Sequence, residues 1–594
     1  WEPVQVTQRN EGGVVVLGTP ACRIRIDRKD GRISVTDLKG NAILREASYL
    51  APGAPLITAL GQSLNEKFQK PRRDEAIIGD TTKNGAQQQQ TEVGDMSRNS
   101  ILSFTLADDE RFYGGEVLRM WASYQIAEAP IPFMMSSAGW GVFDNTTVRS
   151  YFDVARYDKE RLLIYNTAPG ADFYVMVGGS MPQTLGLYTS LTGRAYVLPR
   201  WMYGLSFGGH MQENQFEMMD DAVRFRTEKV PCDVMWIEPQ WMSKYYDFST
   251  EKSWNYKLFP PEGYWVEKQF PKHEWKTSFV GRLHGLGYKL GLWLCIDHDQ
   301  SIVEEDIIAA REGRPQSGKE HWFDHLTNFM DQGVDGFKLD PARTLDEHPD
   351  RKYYNGLTDK EMHNLNQVLM PRQMNRVFRD HKGIRPWQHY CGGFAGTQRW
   401  TANQSGDNGG ERTALFDQLN LGSSGLMNTS CDVMSAKDEM AALHMGVFLP
   451  WIQINSWFGL LHPWYFPDKE KAMYRDYIQL RHDLFPYIYS AALNGHLTGM
   501  PILRSMPLVY PDDRNVDDMV FQYMFGDNLL IGVFSDSIYL PKGDWIDFWT
   551  GEQLRGEGKE IRHAIPDNRA GLAFVKAGRC RSRCSISANV RSTR

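Results

Sequence analysis

A chain of 594 residues with 42% hydrophobic and 23% charged side chains has an ordinary globular composition and is too long for a single core. Its formal net charge of -7 excludes the basic field of a nucleic-acid binder, and no apolar run approaches the ~20 residues of a membrane span. The 7 cysteines are scattered, with no Cys-x-x-Cys pair or zinc spacing, so neither a disulfide scaffold nor a structural zinc site is indicated.

Residues 1–196 read as β-rich. GVVVLG (13–18), CRIRIDR (22–28) and RISVTDL (32–38) alternate apolar and polar side chains between turn residues, as in a β-sandwich. The polar, Gln-rich stretch 69–92 reads as a long loop or hairpin tip. From 197 to 495 the texture changes. Strand candidates VMWIE (234–238), KLGLWLCID (289–297), GFKLD (336–340) and RPWQHYC (385–391) alternate with amphipathic stretches at 217–229, 320–333 and 359–381. That alternation predicts an α/β fold, a (β/α)8 TIM barrel flanked by the N-terminal β-sandwich. Residues 496–578 turn β-like again (PILRSMPLVY, NLLIGVF, SIYLPKGDWIDFWTG) and predict a C-terminal β-domain. The arginine-bearing segment 579–594 reads as a disordered tail.

Barrels of this kind keep their chemistry where strands end. Asp340 ends the strand GFKLD, and Lys338 shares its face because strand side chains alternate with period two. An ammonium there would hold Asp340 ionised, as a nucleophile requires; a helix N-cap or a plain salt bridge is the simpler alternative. Asp407, in the Gly-rich stretch CGGFAGTQRWTANQSGDNGG (391–410), is a second carboxyl that could donate a proton, although GDNGG is also ordinary turn composition. Asp297, in LCIDHD, is a candidate sugar contact or a turn residue. The DHD triplet hints at a metal, but no further ligand has fitting spacing. Arg399 is a candidate for substrate binding or for bracing Asp407, and Trp293 for stacking on a sugar face.

Seven stretches in order carry a family likeness: ERFYGGE (110–116), IPFMMSSAGWGVFDN (131–145), LPRWMYGLSFGG (198–209), GFKLD, GFAGTQRW with SGDN, MPILRSMPLVYPDD (500–513) and YMFGDNLLIGVF with IYLPKGDWIDFWTGE. Over nearly its whole length the chain resembles glycoside hydrolase family 31, the α-glucosidase and α-xylosidase group. The resemblance implies retaining hydrolysis of α-glycosides, with Asp340 as nucleophile and Asp407 as acid/base. It implies no metal or organic cofactor. The implied partner is an oligosaccharide or glycoconjugate with a terminal α-linked sugar, not a nucleic acid or a membrane, and action outside the cytoplasm, in the periplasm or secreted, is the expectation.

Departures from the family pattern bear on the sugar. Lys338 stands where the α-glucosidases carry Trp and is similar to the α-xylosidases. Glu238 aligns with their glucose-binding Asp, Cys391 with an Arg and Asn455 with a His. These changes argue against glucose, because a site built for one hydroxyl pattern rejects another. An α-galactosidase, with Glu238 reading an axial 4-hydroxyl, is the expectation. Space freed at Cys391 keeps an α-N-acetylgalactosaminidase open, and an α-glucosidase or α-xylosidase stays open within the family. A non-catalytic carbohydrate-binding protein is the alternative outside it.

Overall fold

The computed structural model describes residues 4–68, 96–115, 131–261, 278–340, 351–405, 410, 412–434, 438–457 and 459–578. The stretch read as a loop at 69–92, the tail 579–594 and the acid/base candidate Asp407 lie outside the described residues.

Two antiparallel sheets, of eight and four strands, precede the barrel. In the strand Cys22–Asp27, Cys22 turns inward while Arg23 and Arg25 face solvent, the alternation its sequence prescribes. The sheets share one core, in which Val35, Leu44, Phe104 and Ile164 of the larger meet Trp140 and Val142 of the smaller. This is a sandwich packed face to face.

The barrel strands are β1 (Leu205–Gly208), β2 (Val234–Ile237), β3 (Lys289–Leu294), β4 (Gly336–Leu339), β5 (Trp387–Tyr390), β6 (Ala402–Gln404), β7 (Thr429–Ser430 and Asp432–Val433) and β8 (Ile452–Asn455). All neighbours are parallel, and β1 pairs with both β2 and β8. The two halves of β7 flank Cys431. The first pairs with β6 and the second with β8, so the barrel closes through one interrupted strand. Residues of β2, β4 and β5 are buried on both faces, which accounts for the continuous apolar run VMWI of β2.

Indoles fill the barrel interior, and glycines make room for them. A Cβ on Gly208 would fall 2.4 Å from the Trp236 ring, and one on Gly291 would fall 2.3 Å from that of Trp387. Trp387 Nε1 donates to Ser206 Oγ at 3.1 Å, which satisfies its one polar atom inside the barrel.

The helix Gln215–Thr227 starts at a capping box formed by Asn214 and Glu217. The long helix Asp359–Lys382 starts at a second box, Thr358 with Glu361, and ends at Gly383 in the left-handed region. The amphipathic stretch 320–333 is mostly turns, with only Thr327–Asp331 helical. Tertiary bonds override its helical pattern: buried Trp322 donates to Gln373 at 2.6 Å, and His321 bonds Asp306 at 3.0 Å. After the barrel, a six-stranded antiparallel sheet runs from Leu503–Ser505 to Leu572–Lys576 in sequence, with a separate two-stranded pair. In PILRSMPLVY only Leu503–Ser505 is strand. Pro507, in the first turn, starts a short helix, Met506–Val509.

Candidate active site

The C-terminal ends of the barrel strands bring together most of the residues singled out from the sequence. Asp340 follows β4, and its amide continues the parallel ladder by donating to Leu294 O at 2.8 Å. Lys338 lies two residues back on the interior side, in register with Trp293 of β3 and His389 of β5. Trp293 Nε1 donates to Asp340 Oδ2 at 3.2 Å. The indole expected to stack on a sugar therefore holds one oxygen of the candidate nucleophile.

The sequence reading made Lys338 the counter-charge of Asp340 and gave Glu238 to a substrate hydroxyl. In the structure Lys338 and Glu238 are themselves an ion pair, Nζ to Oε1 at 2.9 Å, with side chains only 4% and 5% exposed. Asn455 Nδ2, at the end of β8, donates to the same Glu238 oxygen at 3.1 Å, while its Oδ1 accepts from Trp457 N at 3.1 Å. The Lys338 ammonium also sits 4.8 Å from the centre of the Trp236 ring. A carboxylate so deep is tolerated because a cation and an amide meet it there. Two of the positions that depart from the α-glucosidase pattern thus form one bonded unit with a third.

Cys391 continues β5, its amide donating to Leu339 O at 3.0 Å. The Gln404 amide reaches its sulfur, Gln453 bonds Gln404, and Gln453 also donates to Asp432 at 2.9 Å. A chain of buried amides from β6 and β8 thus backs the Cys391 sulfur inside the barrel.

Asp297 lies past the end of β3 on the same face, but its Oδ1 accepts from Arg351, which also approaches Asp359 at 3.7 Å. Its neighbours in the DHD triplet are engaged separately, His298 with Glu320 O and Asp299 with Ser301 and Tyr354 N. Among the described residues no group of three or more His, Cys, Asp or Glu side chains could hold a metal ion. Arg399 does not join the site. It is exposed at the end of a short helical turn, on the N-terminal side of β6, with its guanidinium 5.1 Å from the Trp400 ring centre. The Gly-rich loop after β5 carries the chain back down the barrel before Arg399 is reached, and Asp407, which it was expected to brace, lies outside the described residues.

Sequence reasoning passed over two groups. Tyr246 packs edge-on against Trp293, with ring centres 5.2 Å apart. Burial first, then Tyr245 and the charges of Glu238 and Asp340, push its phenol pKa up, so the ring stays neutral. Glu213, after β1, is fully buried with no hydrogen-bond partner on either oxygen. Burial, then Asp221 and Glu217, raise its carboxyl well above the usual range. A Cβ on Gly209 would fall 2.0 Å from it, so glycine is required there.

Residues 195–491 match the model of the glycosyl hydrolases family 31 TIM-barrel domain, and 499–580 that of the family 31 C-terminal domain. The chain belongs to glycosyl hydrolase family 31. This family 31 chain is similar to an α-xylosidase of Saccharolobus solfataricus, 26% identical over 515 residues that cover 76% of this chain and 68% of the relative. It is also similar to an isomaltosyltransferase of Sporosarcina globispora, 27% identical over 75% of this chain and 47% of that one. In structure it resembles the Flavobacterium johnsoniae GH31 dextranase complexed with glucose, with a TM-score of 0.73 at 22% identity, covering 96% of this chain and 73% of the dextranase. These likenesses support a family 31 α-glycosidase. They do not support the α-galactosidase-like subtype expected from the sequence.

Proposed function

We propose that this family 31 chain is an exo-acting, retaining α-glycosidase for a sugar other than glucose, with a terminal α-galactoside as its first substrate. The observation that carries this reading is the Glu238–Lys338–Asn455 unit beside the Trp293–Asp340 pair. A sugar entering here meets a carboxylate pinned by two donors, one methylene longer than the aspartate of the α-glucosidase pattern. A preorganised donor and acceptor set discriminates strongly between hydroxyl epimers, because the wrong epimer leaves buried polar groups unpaired.

Asp340 attacks the anomeric carbon while Asp407 protonates the glycosidic oxygen and the aglycone departs, leaving a glycosyl ester on Asp340. Asp407 then takes a proton from water, which displaces the ester from the opposite face, so two inversions give retention. Trp293 holds Oδ2 of Asp340 and so orients the attacking carboxylate.

An α-xylosidase is the second reading, supported by Lys338 and by the similarity to the Saccharolobus enzyme. Parallel turnover of p-nitrophenyl α-galactoside, α-xyloside, α-glucoside and α-N-acetylgalactosaminide, with Asp340→Ala as blank, separates the readings. Galactoside is expected to lead, and Glu238→Asp to lower its kcat/KM by about 10- to 100-fold. A wild-type preference for glucoside would sink the proposal; a preference for xyloside would transfer it to the second reading.

A further inference from the structure

Tyr246 has φ of 52°, the left-handed region that a bulky aromatic side chain avoids. Such strain persists only where surrounding structure over-determines it. Here the extension of β3 does so: Asp297 N donates to Phe248 O at 2.9 Å, and Cys295 Sγ lies 3.7 Å from Asp247 O. The Asp247 carboxylate closes the turn by accepting from Ser249 N and Oγ at 2.9 and 2.7 Å. The strained backbone delivers the Tyr246 ring onto the Trp293 indole at an interplanar angle of 88°, with Phe248 stacked behind it at 6.4 Å. Its ring also meets that of half-exposed Tyr245 edge-on, with centres 4.6 Å apart. On the other side Trp241 Nε1 donates to Trp293 O at 2.8 Å, so the Trp293 backbone is fixed as well.

We propose that Tyr246 is a positioning residue for the nucleophile, acting through Trp293: its ring fixes the indole so that Nε1 stays on Oδ2 of Asp340. The proposal rests on the reading of Asp340 as nucleophile. A glycine or asparagine would make this turn without strain. The tyrosine is therefore explained by what its ring touches, not by the backbone it occupies. A tryptophan side chain turns about χ2 between broad wells, so without a wall its N–H would leave the carboxylate. Reacting atoms displaced by about 1 Å cost on the order of 100-fold in rate.

The test compares Tyr246→Phe with Tyr246→Asn in the full chain. Tyr246→Phe keeps the wall and is expected to hold kcat within about threefold. Tyr246→Asn, whose side chain suits the left-handed backbone, is expected to lose about 30- to 100-fold in kcat with KM changed less than about threefold. The second readout needs no turnover. In protein labelled with 15N-tryptophan, the Trp293 indole N–H, assigned by its disappearance in Trp293→Phe, is expected to exchange with solvent at least about tenfold faster in Tyr246→Asn and at the wild-type rate in Tyr246→Phe. If the wild type turns over none of the four aryl glycosides, the substrate reading fails while indole exchange still decides this one. Unchanged exchange in Tyr246→Asn would overturn the proposal. So would equal kcat losses in the Phe and Asn variants, which would put the hydroxyl on the sugar. Should Tyr246→Asn not fold, Trp293→Phe replaces it in the kinetic arm: undiminished kcat there would overturn the proposal too.

Discussion

Strand β4 carries an aspartate at each end, and the two are used in opposite ways. Asp335, just ahead of Gly336, is buried under three donors: His284 Nε2 at 2.9 Å, Lys289 Nζ at 3.3 Å and Leu290 N at 3.0 Å. Burial works against its charge, but His284, Lys289 and the amide outweigh it and hold its pKa below the usual carboxylate range. Asp340, just after Leu339, is partly open at the barrel mouth with an indole on one oxygen. The same side chain is a stability element at the closed end of the strand and a reactive group at the open end. What separates them is the end of the barrel at which each stands, in keeping with the division of labour in (β/α)8 proteins.

The sharpest way to break this comparison is Asp340→Ala. Turnover should fall by about 10⁴-fold or more, with the melting temperature moving by no more than about 2 °C. A variant that lost stability along with activity would make Asp340 another Asp335. Next in size is Lys338→Met. It strands the buried Glu238 carboxylate and should cost about 3–5 kcal/mol of stability by denaturant unfolding. Adding Glu238→Gln should recover part of that loss, which a double-mutant cycle would measure.

Asp335→Asn probes the other end of the strand. Removing a charge that accepts three buried hydrogen bonds should cost about 1.5–3 kcal/mol at neutral pH and leave kcat unchanged. Its pH dependence has a definite sign. The folded pKa is depressed, so the unfolded chain binds the proton first as pH falls. The contribution is fully present above the unfolded carboxylate value of about 3.9 and is lost as pH falls through the folded value. Stability of the wild type should therefore decline more steeply than that of Asp335→Asn below about pH 4. Parallel slopes would show that Asp335 is not the group held ionised.

Half of the barrel was legible in the sequence, and the illegible half has a physical explanation. β2, β3 and β4 read as strands because apolar side chains dominate them (VMWI, KLGLWL, GFKL), and β5 (WQHY) carries two aromatic residues. β6 to β8 (ANQ, TS with DV, IQIN) are short and polar, since Gln404, Gln453 and Asp432 bond one another inside the barrel. Runs this short and this polar carry too few apolar positions for a hydrophobic period to stand out. In the site, Asp340, Lys338, Glu238 and Asn455 came from strand ends and family likeness, but the Glu238–Lys338 bond joins residues 100 apart in sequence. Tyr246 could not be read, because nothing in YYDF announces a left-handed tyrosine.

The smallest expected effect tests the boundary of the site. Arg399 was a natural candidate: a cation eight residues before Asp407, in a Gly-rich stretch. The structure puts it on the far side of the β5–β6 connection, where its side chain passes Gly193 so closely that a Cβ there would fall 2.0 Å from Arg399 Cδ. Arg399→Ala removes an exposed cation–π contact with Trp400 and should cost at most about 0.5–1 kcal/mol. Its kcat and KM should match wild type on every aryl glycoside that is turned over. Gly193 has φ of 106°, so Gly193→Ala adds backbone strain to the clash and should destabilise more than Arg399→Ala, again with unchanged kcat per folded molecule. A tenfold fall in kcat/KM for Arg399→Ala at intact stability would mean that this end of the barrel reaches the chemistry after all, and the contrast between the two ends of β4 would no longer hold for its neighbours.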